Sequence, residues 1–320
     1  MDIHLLVDNL TNPALLFFFL GIIAVQLKSD LEIPPNSSKF ISLYLLFSIG
    51  FKGGQELAHS TIDGELIWSL LFGIFLALVV PFYSYFILRR KFSIENSGAI
   101  AAAYGSVSAV TFVTAVSFLE IENISFGGHM VAVMALMEAP SIIIGVLLMA
   151  MFTKKKPKNG ELKKVVHHSF TNGSVLLILG SLIIGYLASE HQAQGIAPFT
   201  TDIFKGFLAV FLLDMGITSG KKLNDFLKKG WFALCFAIVI PVFNGIVVAY
   251  TSQFITSEIG NRFLFAILAA SASYIAVPAA MRLAAPKANA SLYLPMALAI
   301  TFPFNITLGM PLYMYIVQNF

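Results

Sequence analysis

The sequence predicts an all-α polytopic membrane protein. Ten transmembrane helices form a five-plus-five inverted repeat, with the fourth and ninth helices discontinuous. Three observations carry this reading. Hydrophobic residues make up 58% of the 320 and charged residues 12%, against about 45–50% and about 25% in soluble domains. The apolar residues fall into ten long runs. The two halves also repeat a set of short motifs at a nearly constant offset. With a mean hydropathy of +0.83, the chain takes lipid as its solvent. That excludes an ordinary cytosolic protein, a disordered tail and a nucleic-acid binder.

A hydrocarbon core of about 30 Å needs about 20 apolar residues per helix. The runs are 13–27, 40–51, 66–88, 97–119, 127–152, 174–189, 203–217, 231–254, 263–283 and 292–317. The second, sixth and seventh are short, and the fourth and ninth contain polar residues. Continuous runs of this length are unlike the short alternating segments of a β-barrel. The residues before the first run hold Asp2 and Asp8 and no Lys or Arg. A secretory signal has a positive start, so the first run is read as a span and not as a cleaved leader.

Positive charge gathers in cytoplasmic connections. Alternate connections, starting after the first span, hold Lys28 and Lys39; Arg89, Arg90 and Lys91; six lysines between Lys154 and Lys164; Lys221, Lys222, Lys228 and Lys229; and Arg282 and Lys287. The other side holds only Lys52, Lys205 and Arg262, a split of 17 to 3. Removing one span would strand much of this charge on the wrong side. The expectation is a multi-pass protein of the bacterial inner membrane with both termini outside the cytoplasm. The Lys154–Lys164 stretch is the strongest topology anchor and a candidate docking loop for a regulator or anionic lipid.

LLFSIGFKGGQEL at 45–57 aligns with FLLDMGITSGKKL at 211–223, an offset of 166. Pro81 then aligns with Pro241, Asn96 with Asn261, Ser106 with Ser271, Ser108 with Ser273, and Pro140 with Pro303. Five spans is an odd number, so the second copy enters the membrane upside down. Residues 1–152 form the first repeat, 153–173 a cytoplasmic linker and 174–320 the second. Inverted repeats are common in secondary transporters, whose sites lie near the midplane where interrupted helices meet.

The fourth span contains Tyr104-Gly105-Ser106-Val107-Ser108-Ala109-Val110-Thr111. The ninth contains Ser271-Ala272-Ser273-Tyr274-Ile275-Ala276-Val277-Pro278. Gly105 lets the backbone leave the helical region. Pro278 disfavours helical geometry at Val277. Serine hydroxyls satisfy backbone groups freed at membrane depth. Two such breaks, antiparallel, bring two half-helix N-termini together, each with about half a positive charge and free N–H donors. That makes an anion site without Lys or Arg, formed by Gly105, Ser106, Val107, Ser271, Ala272, Ser273 and Tyr274. Nearby oxygens suit a hard cation such as Na⁺. Its candidate ligands are Ser106, Ser108, Thr111, Glu138, Thr301 and Asn305.

Glu138 lies mid-span beside Pro140. A deep carboxylate is functional by default, here as a cation ligand or proton carrier. Asp214, the counterpart of Ser48, is expected to pair with Lys52 or cap backbone. Asn244 reads as interhelical glue, His129 as interfacial and Cys235 as a buried small apolar residue. His167 and His168 have no metal-ligand spacing. No organic cofactor is expected.

The segments YGSVSAVTFVTA (104–115), LMEAPS (136–141), ASASYIAVPAAMR (270–282) and ITFPFN (300–305) resemble the sodium-dependent bicarbonate transporter family, first known from cyanobacteria. The likeness runs over nearly the whole chain. It implies ten helices in two subdomains, a gate of spans 1, 2, 6 and 7 and a core of spans 3–5 and 8–10. It further implies Na⁺ as coupling ion, a homotrimer, and a cytosolic PII-like regulator. Bicarbonate and Na⁺ are expected where the fourth and ninth spans cross. The cyanobacterial transporters have Ser-Gly-Ser-Thr where this chain has Ser108-Ala109-Val110-Thr111, and Asp in place of Glu138. They also have an Asp where Tyr274 stands, and a much longer loop between spans five and six.

The expected function is Na⁺-dependent symport of bicarbonate into the cytoplasm by alternating access. The alternatives are another small anion coupled to Na⁺ or H⁺, and a passive ion channel. An intramembrane enzyme needs a nucleophile and base or a metal cluster at depth. The spans offer one Cys and no second carboxylate near Glu138, so the chain is not read as an enzyme.

Overall fold

A computed structural model describes residues 7, 9–59, 64–153, 167, 171, 173–227 and 230–320. The lysine-rich loop after Lys154, together with His168, Lys228 and Lys229, lies outside them. The described residues are helical and contain no strand. The helices are α1 (Pro13–Gln26), α2 (Pro35–His59), α3 (Gly64–Leu88), α4 (Ile94–Gly105), α5 (Ala109–Ile121), α6 (His129–Phe152) and α7 (Gly173–Leu187). They continue with α8 (Glu190–Ala197), α9 (Phe204–Leu227), α10 (Trp231–Thr251), α11 (Ile259–Ala270), α12 (Ala276–Ala284) and the helical run α13 (Ala290–Asn319). Six helical stretches are long and apolar enough to cross a bilayer: Gly64–Leu88, Ile94–Ile121, His129–Phe152, Glu190–Leu223, Trp231–Phe254 and Ala290–Asn319.

Two short apolar runs belong to longer helices. Run 40–51 lies within the 25 residues of α2, and all of run 203–217 but Ile203 within the 24 of α9. Ser48, Lys52, Gln55 and Glu56 interrupt hydropathy in α2 without interrupting its hydrogen bonds. Helix starts follow local chemistry. The Asn12 side chain accepts from the Ala14 N–H ahead of Pro13 at the first helical position of α1, where proline's missing donor costs nothing. Ser93 caps α4 through the Asn96 N–H at 3.2 Å.

Glycines set the closest helix pairs. Helix α1 packs along α9, and α2 along α7. A Cβ at Gly21 or Gly216 would strike the Leu213 or Phe18 carbonyl across the α1/α9 contact. At Gly54 or Gly185 it would strike the Leu182 or Phe51 carbonyl across α2/α7. Small residues four apart permit this approach in lipid, where helices associate by packing. Helix α3 packs on α4 and α6, and α10 on α11.

Two asparagines make matching tethers. Asn96, at the start of α4, accepts from the Asn289 N–H before α13 at 2.7 Å. Asn261, at the start of α11, accepts from the Gly127 N–H before α6, also at 2.7 Å. Helix α13 holds two π-helical stretches, Met296–Thr301 and Asn305–Gly309, on either side of Pro303. Proline removes one N–H from the ladder, and wider turns of this kind recur at functional sites.

Two single-residue expectations, for Cys235 and Asp214, are corrected. Cys235 is exposed on α10, on a face with exposed Trp231 and Val239. A continuous apolar run does not say which face meets lipid. His129 is buried, its ring folded back over Gly127. Asp214 does not pair with Lys52: Ser38 donates to its carboxylate, while Lys52 pairs with Glu120 at 2.6 Å.

Candidate functional site

Both serine segments are non-helical and built by one device. Helix α4 stops at Gly105 and α11 at Ala270. The next residues adopt the same backbone, Ser106 at φ −83° and ψ 175° and Ser271 at φ −85° and ψ 169°. The second serine of each segment then caps the following helix. Ser108 Oγ accepts from the Thr111 N–H at 3.2 Å, and Ser273 Oγ from the Val277 N–H at 3.4 Å. Serine suits this place because its short hydroxyl replaces a missing helical acceptor. The segments also bind each other. The Ser108 N–H donates to Ser271 Oγ at 3.0 Å, and the Ser273 N–H donates to the Ala103 carbonyl at 2.8 Å.

The Pro278 expectation is corrected, and Gly105 has a tertiary cause as well. Helix α4 ends at Gly105, and the backbone turns extended at Ser106 without a positive φ at the glycine. Gly105 is small because Pro81 of α3 and Ser141 of α6 press on it, and a Cβ would strike both. Pro278 lies in the first turn of α12, beyond the break, where its missing N–H leaves no bond unmade. It starts the second half-helix and does not end the first.

The N-termini of α5 and α12 open on one small cavity of about 30 Å³. Its polar walls are Ser108, Ser273, Tyr274, Ser174 and Glu138. No Lys or Arg is among the lining residues. Positive potential there comes from two helix ends, each worth roughly half a charge. Glu138 faces them from α6 and is the one lining carboxylate. Ser106 and Thr111 do not line the cavity, and their buried hydroxyls have no hydrogen-bond partner among the described residues. An unpaired buried hydroxyl costs roughly 1–3 kcal/mol, which a cation ligand would recover.

Of the other expected site residues, Val107 lines the cavity and Ala272 is buried behind it. Ser271 is committed to the break, accepting from Ser108 and donating to the Leu268 carbonyl at 3.0 Å. Thr301 donates to the Ala237 carbonyl at 2.7 Å and contacts the Tyr104 hydroxyl at 2.8 Å. Asn305 donates to the Ala270 carbonyl at 2.7 Å. Neither Thr301 nor Asn305 lines the cavity. Asn244, read from sequence as glue, donates to the Ala269 carbonyl at 3.1 Å, and Ser141 donates to Ala102 O at 3.2 Å. These side chains close the carbonyl ends of the two first halves. Mid-span Asn opposite a broken helix is the signal that could have found them.

Beyond Tyr274 and Ile275 lies a vestibule of about 530 Å³, with Lys39, Ser38, Asp214 and Lys221 on its walls. Toward the other end of α2, further polar contacts join the helices. The Tyr44 hydroxyl donates to the Phe199 carbonyl at 2.5 Å. Glu120 at the end of α5 takes Lys52 of α2 at 2.6 Å and Lys205 of α9 at 3.9 Å.

The profile of the Na⁺-dependent bicarbonate transporter superfamily matches residues 13–318, nearly the whole chain. The chain belongs to this superfamily. No curated protein matches the sequence. The transporter is a multi-pass membrane protein with at least six helices able to span a bilayer.

Proposed function

We propose that this transporter carries bicarbonate into the cytoplasm by Na⁺-coupled symport with alternating access. The observation that carries the reading is the pair of like-built serine breaks whose helix N-termini share one cavity with Glu138. Ten spans in two inverted repeats, 1–152 and 174–320, give this pair its antiparallel arrangement. The matching Asn96 and Asn261 tethers and the glycine contacts of α1/α9 and α2/α7 support the repeat. Helices α1, α2, α7 and α9 are the gate, and the rest form the core.

Coupling follows from charge. An anion at the two N-termini meets Glu138. At a separation of about 4 Å and an effective dielectric of about 20, two like charges repel by about 4 kcal/mol, on the order of a thousandfold in affinity. Na⁺ held by Glu138, Ser108, Ser106 and Thr111 cancels this repulsion. Each ion then binds well only beside the other, and the coupling is reciprocal. The cavity of about 30 Å³ is small and lies against the wider vestibule. Movement of gate against core then exchanges access between the two sides of the membrane. The vestibule at Lys39 and Lys221 marks the side open in this state, the cytoplasmic side by the distribution of basic residues. The Glu120 ion pairs bridge core and gate on the other side.

Backbone N–H groups and hydroxyls fit other small oxyanions as well, which is the second reading. A competition panel against bicarbonate separates the two. Resemblance further supports a homotrimer and a PII-like regulator at the Lys154–Lys164 loop. The deciding experiment is uptake of radiolabelled bicarbonate into proteoliposomes. Replacing Na⁺ by choline should abolish it; unchanged uptake refutes the coupling. Glu138→Gln, which keeps the shape and removes the charge, should make residual anion binding independent of Na⁺.

A further inference from the structure

Three residues, Ser174, Tyr274 and Ile275, line both the small cavity and the large vestibule. Ile275 is 43% exposed, whereas Tyr274 is 9% exposed and is the bulkiest of the three. The Tyr274 ring meets Phe302 edge-on, with centroids 6.0 Å apart at 66°. Its hydroxyl lies beside Ser108 without a hydrogen bond of normal geometry among the described residues. Tyr274 also belongs to the non-helical segment between α11 and α12, so no helical ladder fixes its backbone. On its far side the vestibule offers ample room for a phenol.

We propose that Tyr274 is the inner door of the permeation path, its ring forming the partition between the ion cavity and the vestibule. Rotation of the side chain into the vestibule joins the two volumes and releases cargo toward Lys39 and Lys221. Return of the ring separates the two volumes again. The door turns on its own torsions, so it opens and shuts without the larger movement of gate against core. In the shut position its hydroxyl lies beside Ser108 at the α5 N-terminus. This role deepens the symport reading, since it rests on the cavity being the cargo site, but it has its own readout.

The test measures access and needs neither Na⁺ nor bicarbonate. In a Cys235→Ser background, Ala135→Cys places a thiol in the cavity wall and Thr218→Cys places one in the vestibule. A membrane-impermeant methanethiosulfonate is applied to each membrane face separately, and Thr218→Cys identifies the vestibule face. A door open roughly 0.1–10% of the time predicts that Tyr274→Ala speeds labelling at position 135 about tenfold or more. Tyr274→Phe should label at the parent rate, because the ring remains. Tyr274→Trp should label more slowly than the parent. Labelling at position 218 should not change in any of them, which also reports that the variants fold. Equal rates at position 135 for the Ala, Phe and Trp variants overturn the door. If the rates differ as stated while proteoliposomes take up no bicarbonate, the symport reading fails and the door stands.

Discussion

The backbone N–H of Ser108 donates to the side chain of Ser271 at 3.0 Å, so the break in one half of the chain is fastened to the break in the other. Ser271 Oγ in turn donates to the Leu268 carbonyl at 3.0 Å, holding the end of α11. One hydroxyl therefore serves as C-terminal tie for one half-helix and as acceptor for the backbone that introduces another. Both groups are buried.

Ser271→Ala leaves the Ser108 N–H and the Leu268 carbonyl without that partner. A buried unsatisfied group costs roughly 1–3 kcal/mol, so thermal unfolding in detergent should show a loss of that order. Anion affinity should fall with it, because the α5 N-terminus is no longer aimed. Ser271→Thr keeps the hydroxyl and should restore most of both. Wild-type stability in the alanine variant would show that the tie is dispensable.

Glu120 ties α5 to α2 and α9. It sits on α5 and takes Lys52 of α2 at 2.6 Å and Lys205 of α9 at 3.9 Å. The Lys52 and Glu120 side chains are 34% and 28% exposed, so the pair belongs with surface ion pairs, worth about 0–1 kcal/mol. Glu120→Gln should shift the balance toward opening at that face by at most about fivefold, the factor that 1 kcal/mol carries. The readout is labelling of a thiol at Ser117→Cys, in the small cavity between α5 and helices α1 and α9. High salt should mimic the substitution in the wild type, since ions screen exposed pairs. No change with either treatment would remove the ion pair from the closing mechanism.

At the head of α11, outside the spans, two carboxylates share one amide. Asn261 Nδ2 donates to Glu65 at 3.1 Å and to Glu258 at 2.9 Å. Burial, with the Glu65 charge adding to it, raises Glu258 above the ordinary glutamate value. A raised folded-state pKa favours the protonated form, so the stability it contributes is fully present below the unfolded value of about 4.3. It is lost as pH rises through the folded value. The melting temperature of the wild type relative to Glu258→Gln should therefore fall as pH increases from about 4 toward neutrality. Parallel curves for the two proteins would show that Glu258 does not titrate in this way.

The breaks were legible because the serines carry their own capping chemistry. The Ser-X-Ser spacing at 106–108 and 271–273 needs no tertiary information to suggest a cap, and the capping bonds form within each segment. What depends on depth and facing was not legible. Gly105 answers to Pro81 and Ser141, residues far away in sequence. Cys235 lies in an apolar run that meets lipid on one face and protein on the other. Asp214 finds Ser38 because α2 and α9 lie at a register no local pattern encodes. Asn244 and Asn305 act as caps for α11 only because α10 and α13 bring them level with its end.

Asn305 separates a scaffold role from a ligand role. Its Nδ2 donates to the Ala270 carbonyl at 2.7 Å, its Oδ1 faces the Tyr313 hydroxyl at 3.4 Å, and the residue is fully buried. If the amide is a cap, Asn305→Ala leaves one carbonyl unpaired and costs roughly 1–3 kcal/mol. Asn305→Asp should cost more, because it sets a carboxylate oxygen against the Ala270 carbonyl in a site that penalises unpaired charge. The Na⁺ concentration giving half-maximal uptake should stay unchanged in the alanine variant. A cation ligand would give the reverse pattern, with Asp tolerated or tightening Na⁺ and Ala raising the Na⁺ requirement at wild-type stability. Melting curves and Na⁺ titrations of the two variants decide between a residue that holds the end of α11 and one that holds the ion.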